Sequence, residues 1–197
     1  MKLGPYWVTL VVSLLCVGLY FAGLATPTID ELLPYRRSAI ADGQWWRLVT
    51  GNLLHTNHWH LLMNLAGLWI VLFLHHFHYG IKGLSGLFAL LCLLEGLGLY
   101  LGYPQLLGYV GLSGMLHGLF AYGAVRDIQC RMRSGYLLLL GVMVKVGHEQ
   151  FYGASTDVTA MIGARVATES HLVGLICGLI CALGVYLAGK WAPQVAK

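Results

Sequence analysis

The chain has 197 residues, of which 58% are apolar and only 10% charged, and a formal net charge of +4. Soluble domains carry about 25% charged residues, so this composition excludes an ordinary soluble protein. So small a charge excess gives no reason to expect a nucleic-acid partner.

A bilayer-spanning helix needs about 20 mostly apolar residues. By that measure the chain reads as an all-α membrane protein, a single domain over residues 1–197 with six transmembrane helices. The first is expected at 6–25, behind Lys2. Its apolar stretch is longer than a signal-peptide core, so an uncleaved span is expected. Residues 26–57 do not form a span. Pro27, Pro34, Arg36, Arg37 and the run Gln44-Trp45-Trp46-Arg47 predict a structured outer loop lying partly in the membrane interface, where tryptophan beside a basic residue is favoured.

The second helix is expected at 58–77 and opens with His58, His60 and Asn64. His75, His76 and His78 at its far end read as interfacial histidines, since no carboxylate or cysteine lies near them in sequence. The third, 83–101, carries Glu95 mid-helix, which must find a partner or a proton. The fourth, 113–130, opens at Ser113 behind Gly111 and Leu112 and continues through Gly114 and His117. The fifth, 135–151, ends with Lys145, Glu149 and Gln150. The sixth, 169–189, opens with Glu169, Ser170 and His171, followed by Gly174 and Gly178. Four of the five cysteines lie inside the apolar runs as packing residues, and no disulfide framework is expected. A zinc protease has little support, because His148-Glu149 is followed by Tyr152 where HExxH needs its second histidine. No metal or other cofactor is expected.

With the N-terminus inside, Lys2, Lys82, Arg126, Arg131, Arg133, Lys190 and Lys197 fall on the inner side and Arg36, Arg37, Arg47, Lys145 and Arg165 on the outer side. Short basic loops face the cytoplasm, so both termini are placed inside. Helices two, four and six then all run from outside to inside. A hydroxyl, several imidazoles and an amide meet at one depth in the outer third of the membrane. Polar groups within a span face the bundle interior or a water cavity, so this convergence points to a site.

The chemistry suits acyl transfer. A serine at a helix start lies near free backbone N–H groups that can hold an oxyanion. His60 and Asn64, four apart, share a helix face and can both donate to developing negative charge. Gly174 and Gly178 allow the sixth helix to approach another closely, which would bring His171 within reach of Ser113. His117, one turn below Ser113, is an alternative partner for the hydroxyl. Lys145 and Glu149 read either as a local ion pair or, with Gln150, as part of substrate access.

These residues resemble the rhomboid family. His60-Leu61-Leu62-Met63-Asn64 is similar to its HxxxN, Gly111-Leu112-Ser113-Gly114 to its GxSG, His171 to Gly178 to its HxxGxxxG, and Trp46-Arg47 to its WR. The resemblance implies a six-helix rhomboid bundle and an intramembrane serine protease in which Ser113 is nucleophile and His171 general base. His60 and Asn64, with the Ser113 backbone N–H, would form the oxyanion hole. His117 stands where many bacterial rhomboids have tyrosine, which leaves the support of the dyad open. The small size, His117 and the Lys145/Glu149/Gln150 end of helix five resemble the rhombosortase branch. That branch implies a bacterial inner-membrane location and membrane-anchored substrates with a C-terminal Gly-Gly motif, apolar helix and basic tail. It also implies a membrane lipid as possible acceptor of the acyl group. The other readings are a non-catalytic rhomboid-like protein that binds membrane clients, and a small transporter, for which midplane polar residues would be expected instead.

Overall fold

A computed structural model describes residues 4–189. Lys2, Lys190 and Lys197, used in the orientation count above, lie outside the described residues. The chain forms α1 (Gly4–Ala25), α2 (Pro27–Leu32), β1 (Tyr35–Arg36), α3 (Arg37–Ala41) and α4 (Arg47–Thr50), followed by a single 3-10 turn, Gly51–Leu53. Next come α5 (His58–His75), a second 3-10 turn (His76–His78), α6 (Ile81–Gly102), β2 (Gly108–Tyr109) and α7 (Ser113–Gln129). The remainder is α8 (Ser134–Tyr152), α9 (Thr156–Ile162) and α10 (Thr168–Leu187). The long helices fall within two residues of the expected limits, apart from the 3-10 turn that finishes the second. The short elements α2, α3, α4, α9 and the β1–β2 pair were not expected individually.

Among the described residues, four segments are long and apolar enough to cross a bilayer: Gly4–Ala25, His58–His78, Ile81–Gly102 and Thr168–Leu187. The two other long helices differ for a physical reason. Helix α7 is enclosed by α5, α6, α8 and α10, so Arg126 and Asp127 are buried by protein and the helix has no need of an apolar surface. Helix α8 carries Lys145, His148, Glu149 and Gln150 in its last two turns.

Two features place the site. The first is the seam between α7 and α10. A methyl group on Gly178 would run into the Gly118 carbonyl, and one on Gly118 would come within 2.7 Å of the Gly174 oxygen. Backbone therefore packs on backbone, closer than any side chain permits. The second is the outer loop. Arg47 is buried and donates to Gln44 Oε1 at 2.7 Å, Pro34 O at 2.8 Å and Glu31 O at 2.7 Å. Trp46 Nε1 donates to Leu32 O at 3.0 Å, while Trp45 and Trp46 leave about half their surface exposed, as interfacial residues do. The loop is tied to the approach to α7 by the antiparallel pairing of Tyr35 with Tyr109 and by the Gly111 N–H donating to Gly51 O at 3.0 Å.

Candidate active site

The GxSG segment sits where the chain turns into α7. Gly111 has φ +128, a conformation L side chains rarely adopt, and a Cβ there would lie 2.7 Å from His60 Nε2. Only glycine lets the backbone pass this close to the histidine. Leu112, fully buried beneath, anchors the turn. Ser113 is the first residue of α7, where backbone N–H groups lack intrahelical partners.

His171, in the first turn of α10, is carried to Ser113 by the glycine seam. Its Nε2 lies 2.9 Å from Ser113 Oγ. Its Nδ1 lies 2.8 Å from Glu149 Oε2 on α8. Lys145 Nζ donates to the same Glu149 oxygen at 2.8 Å and to His117 Nε2 at 2.7 Å. His117 Nδ1 donates to the backbone carbonyl of Ser113 at 2.6 Å. A carbonyl can only accept, so Nδ1 of His117 carries the proton and its Nε2 is the acceptor for Lys145. Both nitrogens of His117 are thus engaged, and neither faces Ser113 Oγ. Its ring stacks on His171 with centroids 4.2 Å apart.

His60 and Asn64 close the other side. Asn57 caps α5, its Oδ1 accepting from the His60 N–H at 2.9 Å. His60 Nδ1 lies 3.1 Å from the Thr56 hydroxyl oxygen and 3.4 Å from the Thr56 backbone nitrogen, and that hydroxyl donates to Ile162 O at 2.7 Å. The other ring nitrogen, Nε2, faces Gly111. Asn64 Nδ2 is buried without a partner and would lie 3.6 Å from the same Gly111 Cβ position. An imidazole nitrogen and an unsatisfied amide N–H therefore converge beside the serine. Such a group is costly unless something arrives to accept from it.

His55 lies behind this pair, its ring edge-on to His60 with centroids 5.1 Å apart. Burial, with His60 beside it, pushes the His55 imidazole down to about 3, so it remains neutral.

Of the remaining expected residues, Gly114 lies under Glu95 and the Ser170 carbonyl, and Gly174 forms the seam. Gln150 Nε2 donates to Thr168 O at 3.0 Å, tying α8 to the start of α10. Glu149 turns inward to His171, so both readings of the Lys145–Glu149 pair need the imidazole added to them. Ser113 also borders two openings. One opens between Tyr35, His60 and Val166. The other is an apolar crevice lined by Met63, Gly67, Phe120, Leu138 and Lys145.

Among the described residues, two clusters hold enough donors to invite a metal reading. In the first, His117, Glu149 and His171, the Lys145 ammonium sits within 2.7–3.3 Å of a donor atom of all three and takes the cation's place. The second lies at the opposite end of the bundle, where Asp127 sits between His75 Nδ1 at 3.3 Å and His78 Nε2 at 2.6 Å. The carboxylate that sequence spacing did not supply to these histidines comes from α7, packed alongside α5. At 2.6 Å the His78–Asp127 contact is a hydrogen bond, since two ligands of one tetrahedral zinc stand about 3.3 Å apart. Neither cluster fits a bound ion in this arrangement.

Two residues that the motifs do not include are Thr56, which contacts His60 Nδ1, and Tyr109, whose hydroxyl donates to the Gly111 carbonyl. Each stands within five residues of a motif, which is the only local signal either offered.

A rhomboid-domain family model matches residues 42–188. The chain belongs to the rhomboid family. It is 27% identical over 185 residues to rhomboid protease GlpG of Haemophilus influenzae, covering 88% of each chain. It is also 30% identical over 178 residues to rhomboid protease GluP of Bacillus subtilis, covering 86% of this chain and 32% of that protein. The family match runs from the outer loop to the end of α10, so every side chain of this rhomboid site falls within it.

Proposed function

We propose that this rhomboid chain is an intramembrane serine endopeptidase acting on membrane-anchored proteins. The observation that carries it is the 2.9 Å contact between Ser113 Oγ and His171 Nε2, beside the His60 imidazole and the unpartnered Asn64 Nδ2. Ser113 Oγ attacks the scissile carbonyl carbon and its proton passes to His171 Nε2. The carbonyl electron pair moves onto oxygen, which accepts from His60, Asn64 and the backbone N–H of Ser113. Collapse expels the amine, which leaves with the proton from Nε2. The remaining acyl-enzyme is released by water, or by an amine, with His171 acting as base again.

The bundle is proposed to cross the membrane six times, α7 and α8 included, with both termini inside and the site opening outward in a bacterial inner membrane. The grouping of His60, Ser113 and His171 at the first turns of α5, α7 and α10 supports a common outer depth. The apolar crevice bordered by Met63 and Leu138 offers a lateral path for a substrate's apolar segment. For substrate class, we propose anchors with a C-terminal Gly-Gly motif, apolar helix and basic tail, with a lipid amine as possible acceptor. This rests on the likeness of His117, Lys145, Glu149 and Gln150 to the rhombosortase branch.

The test is cleavage by purified protein in lipid bilayers of a Gly-Gly anchor substrate and of a Leu-Leu counterpart, with fluorophosphonate labelling of the serine. Labelling and cleavage abolished in Ser113→Ala support the protease. Cleavage surviving in Ser113→Ala refutes it, and binding of the anchor without cleavage by wild type leaves a client-binding protein. Equal rates on the two substrates refute the Gly-Gly assignment alone.

A further inference from the structure

A serine protease base must keep its nitrogen nearest the hydroxyl free of a proton. A neutral imidazole has one donor and one acceptor nitrogen, and what bonds to the far nitrogen decides which is which. At His171 the far nitrogen is Nδ1, and it faces Glu149 Oε2 at 2.8 Å. We propose that Glu149 is the third member of a Ser113–His171–Glu149 triad, a positioning residue that acts on the reaction through His171. This rests on the protease reading and goes beyond a two-residue dyad.

The geometry is specific. An ionised carboxylate can only accept, so the Glu149 contact requires the proton on Nδ1 and leaves Nε2 bare toward Ser113 Oγ. In the other tautomer two acceptors would face each other across 2.8 Å. Lys145 also approaches His171 Nδ1, at 3.3 Å, but its two shorter contacts go to acceptors, Glu149 Oε2 at 2.8 Å and His117 Nε2 at 2.7 Å. Lys145 therefore holds the carboxylate in place and does not compete for the base.

The supports are structural as well as electrostatic. Lys145 and Glu149 stand one turn apart on α8, and Gln150 pins that end of α8 to the backbone of Thr168, three residues before His171. His117 forms the shelf on which the imidazole stacks, and its own tautomer is fixed by the Ser113 carbonyl and the Lys145 ammonium. The imidazole is thus held at one face by stacking and at both nitrogens by hydrogen bonds. During attack the proton moves from Ser113 Oγ to His171 Nε2, and Glu149 stays ionised, accepting the Nδ1 proton and stabilising the imidazolium beside it. No proton passes to Glu149.

Glu149→Gln keeps the side chain's size but can present an amide N–H to Nδ1 and invert the tautomer. In a triad, the corresponding amide substitution lowers kcat by about 10⁴-fold. The experiment uses the full chain in lipid bilayers. It compares wild type, Glu149→Gln, Glu149→Asp and Ser113→Ala for kcat and KM on a membrane-anchored substrate. It also measures the second-order rate of Ser113 labelling by a fluorophosphonate and the ¹⁵N shifts of the His171 ring. The expected result for Glu149→Gln is a loss of about 10²–10⁴-fold in both kcat and labelling rate. KM should stay within about threefold, and the proton should move from Nδ1 to Nε2. Glu149→Asp should recover part of the labelling rate.

A labelling rate for Glu149→Gln within about threefold of wild type overturns the triad. With a raised KM, that outcome assigns Glu149 to substrate access instead. Loss of labelling with the Nδ1 proton still in place also overturns it, since the residue would then act on the fold and not on the base. These failures leave the protease reading standing as long as Ser113→Ala is inactive. Activity in Ser113→Ala removes both.

Discussion

Gly178 lies two turns beyond His171 on α10, roughly 10 Å along the axis at 1.5 Å per residue, and touches no part of the site. A methyl group there would meet the Gly118 carbonyl carbon at 2.7 Å and its Cα at 2.8 Å. Carbon–carbon contacts settle near about 3.5–4.0 Å, so Gly178→Ala must push α10 away from α7 by about 1 Å. Carried rigidly up the helix, that shift stretches the Ser113 Oγ–His171 Nε2 contact from 2.9 Å to about 3.9 Å, beyond hydrogen-bond range. A misplacement of about 1 Å at reacting groups can cost about 10²-fold in rate. Gly178→Ala should therefore lower kcat by about 10²-fold, with a smaller change in KM, and destabilise the bundle by about 1–3 kcal/mol through overpacking. Gly184 is the control: it lies on the same helix, and among the described residues nothing comes within 4 Å of its Cβ position. Gly184→Ala should leave kcat unchanged and raise stability by about 0.5–1 kcal/mol. Cleavage kinetics and thermal unfolding of the three proteins in one lipid system check this. Wild-type kcat in Gly178→Ala, or an equal loss in Gly184→Ala, would refute the view that the seam sets the dyad distance.

Asn64→Leu removes an unpartnered buried donor, so it should melt no lower than wild type while kcat falls by about 10²-fold; a lower melting temperature with full activity would reassign Asn64 to packing. Arg47→Ala strips three hydrogen bonds from the buried centre of the outer loop and should destabilise the protein by about 2–4 kcal/mol, and Arg47→Lys should recover less than half of that, because a point charge cannot reproduce the fork. His55 has its pKa lowered from 6.5 to about 3 by burial and by His60, so between those values the unfolded chain binds a proton that the folded chain refuses. Stability should fall as pH drops below about 6.5, by up to about 1.4 kcal/mol per pH unit. Unfolding midpoints from pH 7 to 4.5 should flatten in His55→Gln, and an unchanged slope in that variant would exclude His55 as the source.

Much of this molecule is legible along the chain because its informative residues are local. Apolar run length predicts the long helices. Gly111-Leu112-Ser113-Gly114, His60 with Asn64, and His171 with Gly174 each lie within two turns of a helix start, so a shared depth is expected if successive helices alternate in direction. Which atoms meet is another matter. His171 and Glu149 are separated by 22 residues and His171 and Ser113 by 58, and the 2.8–2.9 Å contacts between them depend on how closely α10 approaches α7 and α8. Sequence patterning places Glu149 at the outer end of α8 without saying whether it faces solvent, substrate or imidazole. In the same way, His117 has the spacing to reach the serine hydroxyl, and only its bond to the Ser113 carbonyl shows that its nitrogens are already engaged. Asp127 is remote in sequence from His75 and His78 and meets them because α5 and α7 run side by side. The sequence by itself determined which polar groups stand at the starts of the long helices, since burying such groups among apolar residues is costly enough to mark them. The tertiary structure decided which of them bond to one another, because hydrogen bonding and steric contact turn on tenths of an ångström, and those are set by the glycine seam and the loop anchored at Arg47.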